Sequence, residues 1–162
     1  MKPKIFIASF GSTDVIRNTL CLHHLTVDDI YTSGRYPDHE DGDPMDDKNP
    51  MIQDACKEHH LHKPFLIDDS KHNVVQALTI DGAGAYHVQG SKGLTHADVE
   101  MLLPLLKDHD AIFIDADKTL FRDHITSEFL YDWLDAGHAA STLDVTKVVL
   151  AEGSKTLLAA LQ

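Results

Sequence analysis

The side chains best suited to chemistry in this chain are two carboxylates in Ala111-Ile112-Phe113-Ile114-Asp115-Ala116-Asp117-Lys118-Thr119-Leu120. Asp115 and Asp117 are two residues apart, so on an extended backbone they project toward the same side. Such a pair can divide the work of substitution: one carboxylate attacks an electrophile, and the other shuttles the leaving group's proton. Four apolar residues precede them, two of them β-branched, and read as a short buried strand. The acids then stand at the strand's carboxyl end. In open parallel α/β sheets that end binds ligands, beside the point where the strand order reverses.

The elements that must hold this strand follow from hydrophobic periodicity. Lys4 to Gly11 reads as an apolar strand ending in Ser9 and a glycine, followed by a helix that Asp14 can cap, with Val15, Ile16, Thr19, Leu20 and His23 on one face. Asp29 to Thr32 is a weak edge strand that opens into an acidic loop from Gly34 to Lys48. Asn49-Pro50 starts a helix, with Asn49 as the cap and Ile52, Ala55, Cys56 and His59 as its stripe. Pro64 to Ser70 is a strand ending in Asp68-Asp69. Ser70 can cap the next helix, whose buried face is Val74, Ala77 and Leu78 and which Gly82 stops. Ala85 to Val88 is another strand, and Thr95 to Asp98 is a capping box for a helix through Val99, Leu102, Leu103 and Leu106. After the central strand, Ile125, Phe129, Leu130, Trp133 and Leu134 make an amphipathic helix ending at Gly137, and Ser154 to Gln162 is a last short helix. Strands alternating with helices predict a three-layer α/β/α, Rossmann-like sandwich on a mostly parallel five-stranded sheet.

At 162 residues the chain fits one domain, 1–162, that needs no metal or disulfide staple. A formal charge of −12 argues against a nucleic-acid groove working by phosphate neutralisation. Cys21 and Cys56 are too few and too unpatterned for a disulfide framework or zinc site, which suits a reducing compartment. The apolar run near the start is too short for a signal peptide or membrane span, so a cytoplasmic location and no membrane partner are expected.

Asp-x-Asp-x-Thr-Leu after an apolar strand resembles the first motif of the haloacid dehalogenase superfamily of phosphotransferases. The family's other motifs are a Ser or Thr ending a strand, a Lys, and an acidic pair ending a strand. They resemble Ser9 in Ile-Ala-Ser-Phe-Gly, Lys48 before the Asn49 helix start, and Asp68-Asp69. The order here is second, third, fourth, first, as a circular permutation produces. The seam agrees, because the tail from Glu152 to Gln162 is similar to the helix that usually leads into the second-motif strand, here at Lys4 to Ala8. The termini should then lie close together, with Gln89 to Asp110 as the new connection. If the family's sheet order is kept, the strands line up by chain position as fourth, third, fifth, first, second.

The resemblance implies a Mg²⁺-dependent phosphatase with Asp115 as nucleophile and Asp117 as acid and base. Ser9, Lys48 and the backbone N–H of Ala116 would hold the phosphoryl group. Asp115, the backbone carbonyl of Asp117, and Asp68 or Asp69 would hold the ion. Asp117 and the acidic pair favour phosphoryl transfer over dehalogenation. Residues 121–151 leave room only for a small cap, so the open site suits a phosphorylated small molecule or macromolecule, and an oligomer is compatible with it. The alternatives are a silent binding module and a phosphomutase using the same aspartyl-phosphate. Lys118 and Phe10 depart from the commoner Gly and Asn of the family, and Phe10 would alter the pocket. His72, three residues after Asp69, would border the mouth.

Overall fold

A computed structural model describes residues 2–36 and 45–162, so most of the acidic loop predicted between Gly34 and Lys48 lies outside the described residues. The elements are β1 (Lys4–Ser9), α1 (Thr13–Leu22), β2 (Asp29–Thr32), α2 (Asn49–His59), β3 (Pro64–Asp68), α3 (Lys71–Ala77), β4 (Gly84–His87), α4 (His96–Leu106) and β5 (Ala111–Ile114). After β5 come two π-type turns, Ala116–Leu120 and Thr126–Leu130, then α5 (Tyr131–Asp135), a 3-10 turn (Ala140–Thr142) and α6 (Ser154–Leu161).

The five strands are all parallel, in the order β2-β1-β5-β3-β4. This is the order expected by chain position. Alternation along each strand divides the interior in two. Ile5, Ile7, Phe65, Ile67, Ile112 and Ile114 face α1, α4 and α6, through Val15, Ile16, Leu20, Val99, Leu102, Leu106, Leu157 and Leu158. Phe6, Ala8, Leu66, Ala111 and Phe113 face α2 and α3, through Met51, Ile52, Ala55 and Ala77. Helices thus cover both faces, which is why β5 is apolar throughout and wholly buried. The β1–β2 and β4–β5 crossovers run one way across the sheet over the first face, while β2–β3 and β3–β4 run the opposite way over the second. All four therefore share one hand, as chirality requires.

The chain ends meet. Lys2, Pro3, Leu161 and Gln162 line one cavity with Thr26 and Val27, and Gln162 Nε2 donates to the Thr26 carbonyl at 2.8 Å. Among the described residues no helix is long and apolar enough to cross a membrane.

Several local expectations hold. Thr95 Oγ1 accepts from Asp98 N–H at 3.1 Å while Asp98 Oδ2 accepts from Thr95 N–H at 2.9 Å, which closes the capping box. Ser70 caps α3. Others need correction. Ser12, not Asp14, caps α1, because its hydroxyl lies outside the first turn and accepts from Val15 N–H. Asn49 is already the first residue of α2. Its N–H donates to Asp47 Oδ1 at 2.8 Å, and its side chain is drawn instead to the Gln76 carbonyl at the end of α3. α3 ends at Ala77 with Leu78 exposed, and Gly82 (φ 75°) serves the turn that follows rather than the helix. The helix predicted through Ile125 and Leu134 is split between a π-type turn and α5; it buries Ile125 and Leu130 and leaves Leu134 exposed.

Candidate active site

β1, β5 and β3 are adjacent, and each carries a predicted site residue at its carboxyl end. Ser9 closes β1, Asp68 closes β3, and Asp115 extends β5 by one rung, its N–H donating to the Ile67 carbonyl at 2.9 Å. The outgoing connections diverge here: β1 feeds a helix on one face and β3 a helix on the other, which opens a crevice over β5. A cavity of about 400 Å³ fills it, lined by Ser9, Lys48, Asp68, Asp69, Asp115 and Asp117 among others.

Lys48 arrives from across the sheet, in the turn that starts α2. Its ammonium is buried and lies 2.6 Å from Asp68 Oδ2 and 2.5 Å from Asp115 Oδ1. Thr119 Oγ1 donates to the other Asp115 oxygen at 3.1 Å, and Asn73 Nδ2 lies 3.3 Å from Asp68 Oδ2. Ser70 N–H donates to Asp68 Oδ1 at 2.8 Å. These contacts fix both carboxylates before any ligand arrives. Ser9 is buried, and its hydroxyl oxygen accepts from Gly11 N–H at 3.0 Å. Ala116, the expected backbone donor, is buried where the chain leaves the ladder.

Burial pushes the Asp115 carboxyl well above the usual carboxylate range; Lys48 pulls against that rise, and Asp68 adds to it. Asp69 is also raised, first by desolvation. Burial alone would depress the Lys48 ammonium, but Asp115 and Asp68 outweigh it and hold the group above its ordinary value. Asp68, Asp69 and Asp115 each offer an oxygen within 4.8 Å of the others. When all three carboxylates are ionised, the one ammonium leaves two negative charges uncompensated. A hard divalent cation with oxygen ligands, of which Mg²⁺ is one, fits both that deficit and that donor set.

The fourth acid behaves differently. A gathering of all four carboxylates follows from reading Asp115 and Asp117 as an extended pair, but the chain turns directly after Asp115. Leu120 N–H and Phe121 N–H reach back to the Asp115 and Ala116 carbonyls, and Lys118 takes a left-handed conformation (φ 61°). Asp117 is thereby turned to the side wall. Its Oδ1 accepts from Ile125 N–H at 2.9 Å, its Oδ2 accepts from Thr126 Oγ1 at 3.0 Å, and His124 Nδ1 lies 3.6 Å away. Its carboxylate therefore stands apart from the other three, on the cavity they share.

Sequence reasoning missed His124, Thr126 and Tyr131, which line this cavity, and Asn73, which braces Asp68. The first three lie in the segment 121–151, which the sequence offers as a small cap carrying one amphipathic helix. Its base is pinned by an antiparallel bridge between Phe121 and Leu150 and by Arg122 N–H to the Val149 carbonyl at 2.8 Å. Its far part leans on α1, where Asn18 Nδ2 donates to the Ser141 carbonyl at 3.0 Å. His72 does line the mouth, 3.5 Å from Asp46. Phe10 is there as well, its ring centroid 5.5 Å from Lys48 Nζ. No protein-family model, curated protein or solved structure matches the chain.

Proposed function

We propose that this chain is a Mg²⁺-dependent phosphohydrolase of the haloacid dehalogenase type, with its motifs in rotated order, acting on phosphate monoesters through an aspartyl-phosphate on Asp115. One observation carries the reading: a buried lysine bridges the carboxylates at the ends of two neighbouring strands, 2.5 Å from Asp115 and 2.6 Å from Asp68, with Ser9 on the same cavity. Structural ion pairs rarely spend three carboxylates on one ammonium at a ligand-binding crevice, because the surplus charge destabilises the fold.

A phosphate monoester repels nucleophiles, so the site must cancel charge before a carboxylate can approach phosphorus. Mg²⁺, held by Asp115, the Asp117 carbonyl and Asp68 or Asp69, would supply most of that cancellation when bound. Lys48 supplies the rest and holds Asp115 in one rotamer, which Thr119 also fixes from the other oxygen. One Asp115 oxygen gives up its hydrogen bond and attacks phosphorus, and the bond from phosphorus to the ester oxygen breaks with its electron pair going to that oxygen. Asp117, held on the side wall by Thr126 and Ile125, gives the leaving oxygen its proton and then takes one from the water that hydrolyses the aspartyl-phosphate. Ser9 and the backbone after Asp115 receive the phosphoryl oxygens.

Single-turnover phosphorylation with phenyl phosphate and Mg²⁺ tests this. Asp115→Asn should abolish the phosphoenzyme. Asp117→Asn should slow its formation by roughly 10² to 10⁴, and by much less with a dinitrophenyl phosphate, whose leaving group needs no proton. A phosphoenzyme that persists in Asp115→Asn refutes the assignment. Phosphate binding without any release in the unaltered protein would favour a silent binding module.

A further inference from the structure

We infer that the leaving group this site accepts is a flat aromatic ring joined directly to the ester oxygen, so that the substrate is an aryl phosphate seated against Phe10 and Tyr131. The inference rests on the phosphohydrolase reading above and narrows it. Phe10 follows the buried Ser9 and lines the cavity, yet it is 42% exposed; Tyr131, the first residue of α5, lines the same cavity and is 57% exposed. Two aromatic residues in contact with water at the mouth of a polar site are unpartnered apolar surface beside the reacting atoms. The imidazoles of His72 and His124 add two more planar groups to that rim.

Position fixes where a ring would have to begin. The Phe10 ring centroid is 5.5 Å from the Lys48 ammonium, which itself touches Asp115. That aromatic wall therefore starts at the first atoms beyond the phosphoryl group. A ring carried on the ester oxygen meets it at once, whereas a base or ring held off by a sugar or an alkyl spacer passes beyond it.

Charge excludes the common alternatives. Among the described residues lining the cavity, Lys48 is the one lysine or arginine, and Asp68 and Asp115 already occupy it. Asp46 stands at the rim with its side chain 88% exposed. Bisphosphates, nucleoside polyphosphates and phosphorylated carboxylic acids each bring a second anion, and among the described residues this rim offers it no lysine or arginine beyond the occupied Lys48. A neutral ring brings none. In the reaction the Asp115 oxygen bonds to phosphorus, the bond from phosphorus to the aryl oxygen breaks with its electrons leaving on that oxygen, and Asp117 supplies the proton.

The same ring chemistry is found on a small aryl phosphate and on a phosphotyrosine side chain, and the test separates them. Phenyl phosphate and hexafluoroisopropyl phosphate have alcohols of similar acidity, so their ratio of kcat/KM reports the ring rather than the leaving-group chemistry. That ratio should be about five- to tenfold in favour of phenyl phosphate, and it should fall toward one in Phe10→Ala and in Tyr131→Ala. Binding of phenylphosphonate and methylphosphonate to the Mg²⁺-loaded protein, followed by calorimetry, should show the same preference and the same loss without any turnover. A phosphotyrosine peptide turned over faster than phenyl phosphate identifies a protein side chain as the source, and the reverse identifies a small molecule; both keep the ring. A ratio near one that neither substitution moves, together with equal binding of the two phosphonates, overturns the inference. Preferential binding of phenylphosphonate with no ester hydrolysed would retain the ring site and refute the phosphohydrolase reading instead.

Discussion

Replacing Lys48 by methionine keeps the length of the side chain and removes its charge, so the cost reads out the electrostatics of the crevice. Lys48 is buried between Asp68 and Asp115, and the oxygens of Asp68, Asp69 and Asp115 lie within 4.8 Å of one another. At that separation two unit charges repel by about 3 to 4 kcal/mol for an effective dielectric constant of about 20. Breaking a buried pair by removing one partner typically costs about 3–5 kcal/mol, a large part of a total stability of about 5–15 kcal/mol. The metal-free Lys48→Met protein at pH 8 should therefore melt about 6–20 °C lower than the unaltered chain. The deficit must also depend on pH. Burial already raises the Asp115 carboxyl, and losing Lys48 raises it further. An acid whose folded pKa exceeds its unfolded one binds more protons when folded, so stability falls as pH climbs from the ordinary carboxylate value through the raised one. Thermal melts at pH 5 and pH 8 should show a small difference between the two proteins at the lower pH and a large one at the higher. Mg²⁺ should raise the melting temperature of Lys48→Met more than that of the unaltered protein. A variant that melts with the unaltered chain at pH 8, or a deficit that is the same at both pH values, refutes the reasoning.

Three further outcomes follow from the same geometry. Mg²⁺ should raise the melting temperature of the unaltered protein, and Asp68→Asn combined with Asp69→Asn should abolish that rise; an undiminished response would put the ion elsewhere. Gly93→Ala should destabilise by more than about 1 kcal/mol, because Gly93 has φ 73° and a Cβ there would meet the Thr119 carbonyl oxygen at 2.7 Å and Ala151 Cβ at 2.8 Å; chemical denaturation of the variant measures it. A rearranged chain running from Ser91 to Gln162, then through a short linker to Met1 and on to Gly90, should fold and keep its Mg²⁺ response, since Gly90 and Ser91 are exposed and the chain ends share one cavity. An insoluble product at several linker lengths would count against it. Starting the chain at Asp108 instead would discard α4, whose Val99, Leu102 and Leu106 are core residues.

How far the sequence could be read depended on the range of the interaction involved. β5 and its flanking strands were legible because fully buried strands are apolar at every position, and strand order followed from the resemblance. The Thr95–Asp98 capping box was legible because its partners are three residues apart. The direction of Asp117 was not, since it depends on a left-handed Lys118 and on donors at Ile125 and Thr126, eight and nine residues away. Leu78 matched the helical stripe, but α3 stops at Ala77 and Leu78 is left exposed. Asn73 and Tyr131 carry no local signal of what they face, because the sheet brings their elements to the cavity from opposite layers.

The place of β5 in the sheet also bears on how the chain acquires its structure. β5 lies between β1 and β3, yet it follows four strands in the chain. Until residue 111 has been made, β1 and β2 can form one ribbon and β3 and β4 another, but the two have no ladder in common. Two-stranded ribbons are marginal alone, and the inner edges of β1 and β3 would each present unpaired backbone alongside bare isoleucine and phenylalanine. Folding then waits on the insertion of one four-residue strand between two waiting edges, a step of high contact order. During synthesis this exposes sticky edges over most of the chain's length, and β5 ends that exposure by joining the two halves.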